Sequence, residues 1–429
     1  MDNAVITLIV LAVVAFLFVT ELIPLAVTAM GAAIALGLLG VLTPTEVFSG
    51  LSDPTVVLFA GMFVVGAAML DSGLAQSIGN AVVRKVGTKE VPLMIGMMTL
   101  TIAMSSFASN TGTVACLLPV IIGICVSARV PCSPLLMGLA IAANTGGTIT
   151  LVGTPPNLIA SGALTAVGLP GFSFLEFAWI GIPLSVVSVI YMVLIGRRLC
   201  PKNFADVGAI DNPGAAQGDT RSRWVCTAIL VFVIAGLVFG IPGLDSSMVA
   251  VIGALACVLT KCISEKAAYE GIDWVTIFLF AGMLPLANAL DSTGAGNMIA
   301  DFVVGLLGDN PSPTLFMFVL FALSVNLTQF MSNTAAAALL CPIGISISTK
   351  MGCSPYPVIM AIGIAASCAF TTPVATPPNT LVMGPGGFKF MDYLKVGVPL
   401  VFIAMFLCLF IIPWAWPFYP ENMVQVPVK

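Results

Sequence analysis

Two short polar motifs occur twice in this chain, each time inside apolar sequence. The triplet Ser-Asn-Thr occupies positions 109–111 and 332–334, and Thr-Pro-Pro-Asn occupies positions 154–157 and 376–379. Hydroxyl groups donate and accept hydrogen bonds, and an asparagine amide offers one carbonyl oxygen and two N–H donors. The oxygens of such groups can ligate a cation, and their hydrogens can bind an anion. The duplication therefore predicts one binding site assembled from two equivalent parts.

The Thr-Pro-Pro segments must interrupt the helices that contain them. Pro155 and Pro156 lack amide hydrogens, and Pro155 disfavours helical backbone angles at Thr154. The same holds at Pro377 and Pro378. A broken helix exposes carbonyl oxygens at one end, which suit a hard cation such as sodium. It exposes amide hydrogens at the other end, which suit an anion.

The composition places these motifs in a lipid bilayer. The 429 residues are 59% hydrophobic and 8% charged, which is typical of a multispanning membrane protein. The sequence contains no histidine, and none of its 11 cysteines belongs to a CxxC motif. Acid–base and metal chemistry therefore lack their usual groups, and we do not expect an enzyme. The net charge of −4 is spread over loops and predicts no nucleic-acid partner.

Apolar runs of roughly 17 or more residues are candidate spanning helices, and they form two sets of five. Between the third and fourth run of each set lies a pair of apolar arms, at about 91–128 and 312–349, with the Ser-Asn-Thr triplet at the bend. Each arm pair either crosses the membrane fully or re-enters from one side. The fourth run of each set contains the Pro-Pro break. The ten runs are 4–20, 22–42, 54–70, 133–168, 174–196, 224–240, 246–263, 274–290, 355–383 and 393–418.

The basic residues predict the orientation. If the polar linker 197–223 is cytoplasmic, 13 of the 15 lysines and arginines lie inside, and only Lys350 and Lys429 lie outside. Both termini are then external. We predict an integral, multi-pass protein of a bacterial inner membrane.

The two halves are predicted to form an inverted repeat. Five crossings per half is an odd number, so the second half must enter from the opposite face. The tetrapeptide Phe-Ala-Gly-Met also recurs, at 59–62 and 280–283. We therefore predict a first repeat at 1–196, a linker at 197–223 and a second repeat at 224–429. The broken helices lie at about 133–168 and 355–383. Short Gly-containing segments at 72–86 and 294–309 are predicted to be interfacial helices.

The predicted site contains no charged residue. Lys, Arg, Asp and Glu are absent from both bends and both Pro-Pro breaks. An anion bound there needs compensating charge, which co-bound cations would supply. The sequence therefore predicts cation-coupled anion transport. Two simpler roles stay open: the triplets could cap the second arm helices, and Asn157 and Asn379 could either face the site or cap the helices that resume after each break.

Together, these motifs resemble the divalent anion/sodium symporter family over about residues 20–418. The shared motifs are the paired Ser-Asn-Thr triplets, Gly-Thr-Pro-Pro-Asn at 153–157, and Ala-Thr-Pro-Pro-Asn-Thr-Leu-Val-Met-Gly-Pro-Gly-Gly at 375–387. The resemblance implies an all-α inverted repeat with two re-entrant helical hairpins and two discontinuous helices. It also implies a homodimer in which a transport domain moves as an elevator against a scaffold domain.

The resemblance also implies site residues, with Na⁺ as the coupling ion. A first sodium site would use Ser105, Ser109, Asn110 and Gly153. A second would use Thr328, Met331 through its backbone, Asn333 and Ala375. The bound small dianion would meet Asn110, Thr111, Ser332, Asn333 and Thr334, with Thr154, Thr376 and Pro377 behind them.

The leading functional prediction is sodium-coupled symport of C4 dicarboxylates such as succinate, malate or fumarate. A sodium-independent dicarboxylate exchanger and a carrier of sulfate or a related oxyanion are the alternatives within the family. Two facing triplets suit a ligand with two separated anionic ends, which favours a dicarboxylate. An anion channel is the alternative from another class, and broken spans under opposed arms favour alternating access instead.

Overall fold

A computed structural model describes residues 2–20, 22–73, 87, 89–203, 220–307 and 312–420. Most of the predicted interfacial segment 72–86 and most of the predicted linker lie outside these residues. The described chain forms helices joined by short turns, with one isolated bridge between Ile241 and Leu244 as its only β-type pairing. The predicted all-α fold class is confirmed.

The described residues of the first half form nine helices. Its two hairpin arms are α5 and α6, and its interrupted helix consists of α7 and α8. The helices are α1 (Asn3–Thr20), α2 (Leu25–Leu38), α3 (Pro44–Val47), α4 (Pro54–Asp71), α5 (Glu90–Ser105), α6 (Asn110–Ala128), α7 (Cys132–Gly147), α8 (Pro155–Ala166) and α9 (Ala178–Leu199), with a 3₁₀ turn at Ser49–Ser52 before α4.

The second half repeats this order. Its hairpin arms are α15 and α16, and its interrupted helix consists of α17 and α18. The helices are α10 (Thr220–Phe239), α11 (Ser246–Leu259), α12 (Glu265–Gly271), α13 (Trp274–Ser292), α14 (Ala295–Leu307), α15 (Pro313–Leu327), α16 (Asn333–Lys350), α17 (Tyr356–Ser367), α18 (Pro377–Gly386) and α19 (Phe390–Ala415).

Length and composition suit six of these helices to crossing a membrane alone, namely α1, α4, α9, α10, α13 and α19. The remaining crossings are short or interrupted. Proline sets the interruptions, because α8 and α18 both begin at the first proline of a Pro-Pro pair, where the missing amide hydrogen costs nothing. Seven or more non-helical residues therefore separate the two parts of each broken helix.

The recurring Phe-Ala-Gly-Met tetrapeptide marks two close helix crossings between the halves. A Cβ on Gly61 of α4 would lie 2.8 Å from the backbone carbon of Ala250 in α11. A Cβ on Gly282 of α13 would lie 2.5 Å from the backbone carbon of Ala29 in α2. In a lipid bilayer the hydrophobic effect does not drive helices together, so they associate through close van der Waals packing, which small residues allow. The glycines thus join α4 to α11 and α13 to α2, each pair containing one helix from each half.

The phenylalanine of the same tetrapeptide lies where the halves meet. The rings of Phe59 and Phe280 stack with centroids 5.3 Å apart, and both side chains are buried. Offset aromatic stacking at this distance contributes about 0.5–1.5 kcal/mol beyond area burial. The group formed by α2, α4, α11 and α13 is therefore held together by equivalent residues from both halves.

The hairpins and broken helices form a second group, which also crosses between the halves. Helix α16 packs on α8, and α7 packs on α18. Helices α9 and α19 pack together, and the hydroxyl of Tyr191 donates to the carbonyl of Val396 at 2.8 Å. Each polar break is therefore enclosed by helices of both halves.

The ends of the predicted linker are helical. Arg197 and Arg198 lie in the last turns of α9, and Arg221 and Arg223 lie at the start of α10. Arg197 lies 3.6 Å from the carboxylate of Glu90, which begins the first hairpin. On the other hairpin, Lys350 pairs with Asp301 of α14. The helix α14 falls within the segment 294–309 that was predicted to be interfacial.

Candidate substrate and cation site

One central cavity brings the two Ser-Asn-Thr triplets and the two Thr-Pro-Pro segments together. Its volume is about 770 Å³. All predicted anion-binding residues line it: Asn110, Thr111, Thr154, Ser332, Asn333, Thr334, Thr376 and Pro377. Residues more than 220 positions apart in the chain therefore share one site.

Four helices begin at this cavity. Helices α6 and α16 start at Asn110 and Asn333, and α8 and α18 start at Pro155 and Pro377; all four residues line the cavity. A helix N-terminus carries about half a positive charge and presents unpaired amide hydrogens. The cavity therefore attracts anions, although no lysine or arginine is among the described residues that line it.

The serines of the triplets occupy helix N-cap positions without capping. Ser109 precedes α6 and Ser332 precedes α16, and neither side chain accepts a hydrogen bond from its helix. Both serines line the cavity. Their hydroxyl groups are therefore available to a ligand, which differs from the capping role considered for the triplets.

In the first half, oxygen atoms crowd together beside the hairpin bend. The hydroxyl oxygen of Ser105 lies 2.6 Å from Asn110 Oδ1 and 2.8 Å from the carbonyl oxygen of Ala143. A hydroxyl carries one hydrogen and cannot donate to both. Turning the Asn110 amide places its nitrogen 2.6 Å from the Ser105 hydroxyl, 3.1 Å from the Ala143 carbonyl and 3.3 Å from the Gly153 carbonyl, so that each of these oxygens receives a hydrogen bond. If Oδ1 keeps its place instead, four oxygens converge, and oxygens are the ligands that hard cations prefer.

The second half repeats this arrangement. The hydroxyl oxygen of Thr328 lies 2.5 Å from Asn333 Oδ1 and 2.6 Å from the carbonyl oxygen of Ala366. Met331 and Ala375 line the cavity nearby, and both are buried. Of the two predicted sodium sets, Ser109, Asn110 and Gly153 in one half and Met331, Asn333 and Ala375 in the other line the cavity. Ser105 and Thr328 are fully buried beside Asn110 and Asn333 and are not part of the lining.

Asn157 and Asn379 hold the breaks together and do not line the cavity. The amide of Asn157 donates to the carbonyls of Thr150 at 2.9 Å and Gly147 at 3.4 Å. The amide of Asn379 donates to the carbonyls of Thr372 and Ala369, both at 2.9 Å. Because carbonyls freed by a helix break must be satisfied within the protein, these asparagines stabilise the non-helical segments. Neither of the two roles left open by the sequence describes them, because Asn157 and Asn379 neither line the cavity nor cap α8 and α18, whose N-cap residues are Thr154 and Thr376.

The breaks are also fastened to the hairpin bends. The hydroxyl of Thr150 donates to the carbonyl of Ser106 at 2.5 Å, and the hydroxyl of Thr372 donates to the carbonyl of Gln329 at 2.8 Å. These contacts again occupy equivalent positions in the two halves. A side-chain hydrogen bond therefore ties each bend to the break beside it.

The two bends differ in exposure. Phe107 is half-buried and stacks on Phe174 with ring centroids 6.4 Å apart. Its counterpart Phe330 is 74% exposed, although both phenylalanines line the cavity. The cavity reaches the surface beside Asp273, an exposed residue at the start of α13. The two hairpin bends therefore differ in their local environment.

The sequence motifs did not predict two residues that line the cavity. Asn144 lies on α7 and is 1% exposed, and Asp273 is the charged residue among the described lining. The available signal for Asn144 was an asparagine outside the Thr-Pro-Pro-Asn motif but within the apolar run 133–168. Asp273 gave no comparable signal, because it precedes a helix and caps it by accepting from the Thr276 amide at 3.2 Å.

Comparison with known proteins agrees with this architecture. The model of the citrate transporter family matches residues 15–343 and 327–423. An uncharacterized transporter of Haemophilus influenzae is 30% identical over 94% of this chain and 89% of its own length. The uncharacterized transporter YfbS of Escherichia coli is 27% identical over 95% of this chain and 98% of its own. The sodium-dependent dicarboxylate transporter SdcS of Staphylococcus saprophyticus is 24% identical over 92% of this chain and 83% of its own.

Solved structures share the fold at low sequence identity. The YdaH transporter of Alcanivorax borkumensis superposes with a TM-score of 0.64 at 17% identity, covering 89% of this chain and 90% of its own. MtrF of Neisseria gonorrhoeae superposes with a TM-score of 0.62 at 16% identity, covering 89% and 85%. With the helical bundle, the duplicated motifs and the family match in agreement, the chain is an integral membrane transporter and belongs to the citrate transporter family.

Proposed function

We propose that this protein is a secondary active transporter that couples sodium entry to the uptake of divalent anions, most specifically C4 dicarboxylates. The observation that carries the proposal is the pairing of two binding chemistries at one cavity. Four helix N-termini line it. Directly behind Asn110 and Asn333, which also line it, the buried hydroxyls of Ser105 and Thr328 bring acceptor oxygens together.

The proposal that the site binds an anion rests on hydrogen-bond donors that carry no net charge. The amides of Asn110 and Asn333 and the hydroxyls of Thr111 and Thr334 lie at the starts of α6 and α16, on opposite halves of the site. A ligand with two separated carboxylates fits two such donor groups better than a compact oxyanion does. Ser332, Thr154, Thr376 and Pro377 complete the same lining.

The proposal that the site binds cations rests on charge balance and on the positions of the oxygen atoms. A dianion beside polar but uncharged groups in a membrane protein needs compensating positive charge. We assign one sodium ion to the cluster of Ser105, Ser109, Asn110 and Gly153, and another to the cluster of Thr328, Met331, Asn333 and Ala375. The relationship to a sodium-dependent dicarboxylate transporter supports sodium over other cations.

The packing suggests how the site would move. The hairpins and broken helices pack mainly on one another, and the glycine crossings hold α2, α4, α11 and α13 together. We propose that the first group is a transport domain that slides past the second, as in an elevator. We further propose a homodimer in a bacterial inner membrane, in which the second group provides the contact between protomers.

Citrate is the second candidate substrate, because the matching family is described as citrate transporters. The cavity volume of about 770 Å³ accommodates a tricarboxylate as readily as a C4 dianion. Doubly charged citrate would present two carboxylates to the same donor groups.

Uptake into proteoliposomes tests the proposal. Succinate, citrate, tartrate and sulfate are each offered with an inward sodium gradient, with equal sodium on both sides, and with potassium only. We expect succinate to accumulate above its external concentration only with the sodium gradient. Accumulation that needs internal dicarboxylate but no sodium would identify an exchanger, preferential uptake of sulfate would identify an oxyanion carrier, and single-channel currents would identify a channel.

A further inference from the structure

Asn144 links the first half of the protein to the substrate-facing threonine of the second half. It lies on α7, yet its amide nitrogen is 3.3 Å from Thr376 Oγ1 and 3.2 Å from Asn379 Oδ1, both on the second broken helix. The position equivalent to Asn144 is Ser367, whose hydroxyl donates to Gly363 of its own helix at 3.2 Å. The link therefore departs from the twofold repeat that the rest of the site obeys.

The hydrogen-bond directions in this link are fixed by Asn379. Both contacts from the Asn379 amide nitrogen go to carbonyl oxygens, so its Oδ1 must be the atom that accepts. The group of Asn144 that faces Asn379 Oδ1 must then be its N–H₂. Because an amide nitrogen only donates, the second contact makes Thr376 Oγ1 an acceptor as well.

This geometry leaves the hydroxyl hydrogen of Thr376 free to face a ligand. Thr376 precedes α18, its side chain makes no capping bond, and it lines the cavity. A hydroxyl that accepts from Asn144 keeps its single hydrogen for another acceptor. A carboxylate oxygen in the cavity is such an acceptor.

The oxygen end of the Asn144 side chain makes no hydrogen bond to the described protein. Asn144 Oδ1 is buried. A buried acceptor without a protein partner is costly, and an apolar residue would avoid that cost. The described hydrogen bonds of this side chain are therefore those of its nitrogen, to Thr376 and Asn379.

We propose that Asn144 is a positioning residue for the anion, which orients the Thr376 hydroxyl as a hydrogen-bond donor toward the bound carboxylate. This inference rests on the proposed function. It also implies that the two ends of the substrate are bound unequally, because Ser367, the second-half equivalent of Asn144, donates within its own helix and not to Thr154 of the first half.

A double-mutant cycle tests the inference. Asn144→Ala, Thr376→Val and the double variant are assayed in proteoliposomes for the KM of succinate, the half-saturating sodium concentration and the maximal rate. Asn144→Ala should raise the KM about 2- to 12-fold, the effect of losing one hydrogen bond. In the Thr376→Val background the same substitution should add no further increase, because the hydroxyl that it orients is already gone.

Controls separate positioning from general loosening of the fold. Ser367→Ala should leave the KM unchanged, and Asn144→Asp, which has the same shape but accepts only, should raise the KM more than Asn144→Ala. Half-saturating sodium at saturating succinate should stay unchanged in Asn144→Ala, whereas a disordered site would weaken both ligands.

An equal KM increase from Asn144→Ala in the wild-type and Thr376→Val backgrounds would overturn the inference. So would an unchanged KM, or a loss confined to the maximal rate. Failure of the proposed function looks different, because the wild-type protein itself would then not accumulate succinate. In that case the cycle is run with whichever anion of the panel is taken up, and the same ratios decide the role of Asn144.

Discussion

Replacing Thr328 by valine should selectively weaken sodium activation. Valine keeps the shape of threonine but has no hydroxyl. The lost oxygen lies 2.5 Å from Asn333 Oδ1 and 2.6 Å from the Ala366 carbonyl, at the centre of the second oxygen cluster. A cation bound there would lose one of its ligands, and the other oxygens would face a methyl group.

The size of the effect follows from the kind of contact that is lost. If the contact between oxygen and cation is comparable to a hydrogen bond with a charged group, its loss costs about 1.5–3 kcal/mol. Because about 1.4 kcal/mol corresponds to a tenfold change in affinity, half-saturating sodium should rise about 10- to 150-fold.

The first half supplies the control, because the residue equivalent to Thr328 is Ser105. Thr328→Ser should therefore retain sodium activation close to that of the wild type. Succinate uptake is measured over a sodium series with the ionic strength held constant by choline. At saturating sodium, Thr328→Val should regain most of its maximal rate. A sodium curve that coincides with the wild type, with only the maximal rate reduced, would refute the assignment of Thr328 as a sodium ligand.

Three further outcomes are expected. Asn110→Ala and Asn333→Ala should each nearly abolish uptake while the protein still inserts and elutes as a single species in detergent; wild-type uptake by both would contradict the site. Gly282→Ala should destabilise the fold by about 1–3 kcal/mol, because the new Cβ meets the backbone of Ala29, and thermal unfolding in detergent would show it. Gly31→Ala is the control, since no heavy atom lies within 4 Å of its new Cβ, and an equal loss in both would exclude the close crossing as the cause. A protease site inserted within 204–219 should be cut only from the cytoplasmic face, and cleavage from outside would reverse the predicted orientation.

The sequence predicted those features that proline, glycine and hydroxyl groups determine locally. The bends before Asn110 and Asn333 and the breaks before Pro155 and Pro377 all occur where apolar sequence is interrupted. Local backbone chemistry explains this success, because a Pro-Pro pair cannot continue a helix whatever surrounds it.

Contacts between the two halves could not be predicted from the sequence. Nothing in the chain indicates that Asn144 reaches Asn379, 235 positions away, or that Asn157 turns toward the backbone and leaves the cavity. The sequence showed that Phe-Ala-Gly-Met occurs twice, but it did not show why the glycines are needed. They are needed because Gly61 approaches Ala250 and Gly282 approaches Ala29, and these contacts depend on which helices become neighbours.

The unequal exposure of Phe107 and Phe330 has an energetic consequence. Two bends with the same chemistry occupy different environments, one covered by an aromatic neighbour and one open to solvent. If the proposed elevator motion exchanges the environments of the two bends, Phe107 gives up its contact with Phe174, which is worth about 0.5–1.5 kcal/mol. A difference of that size in ligand affinity between the two states would then be enough to offset the contact.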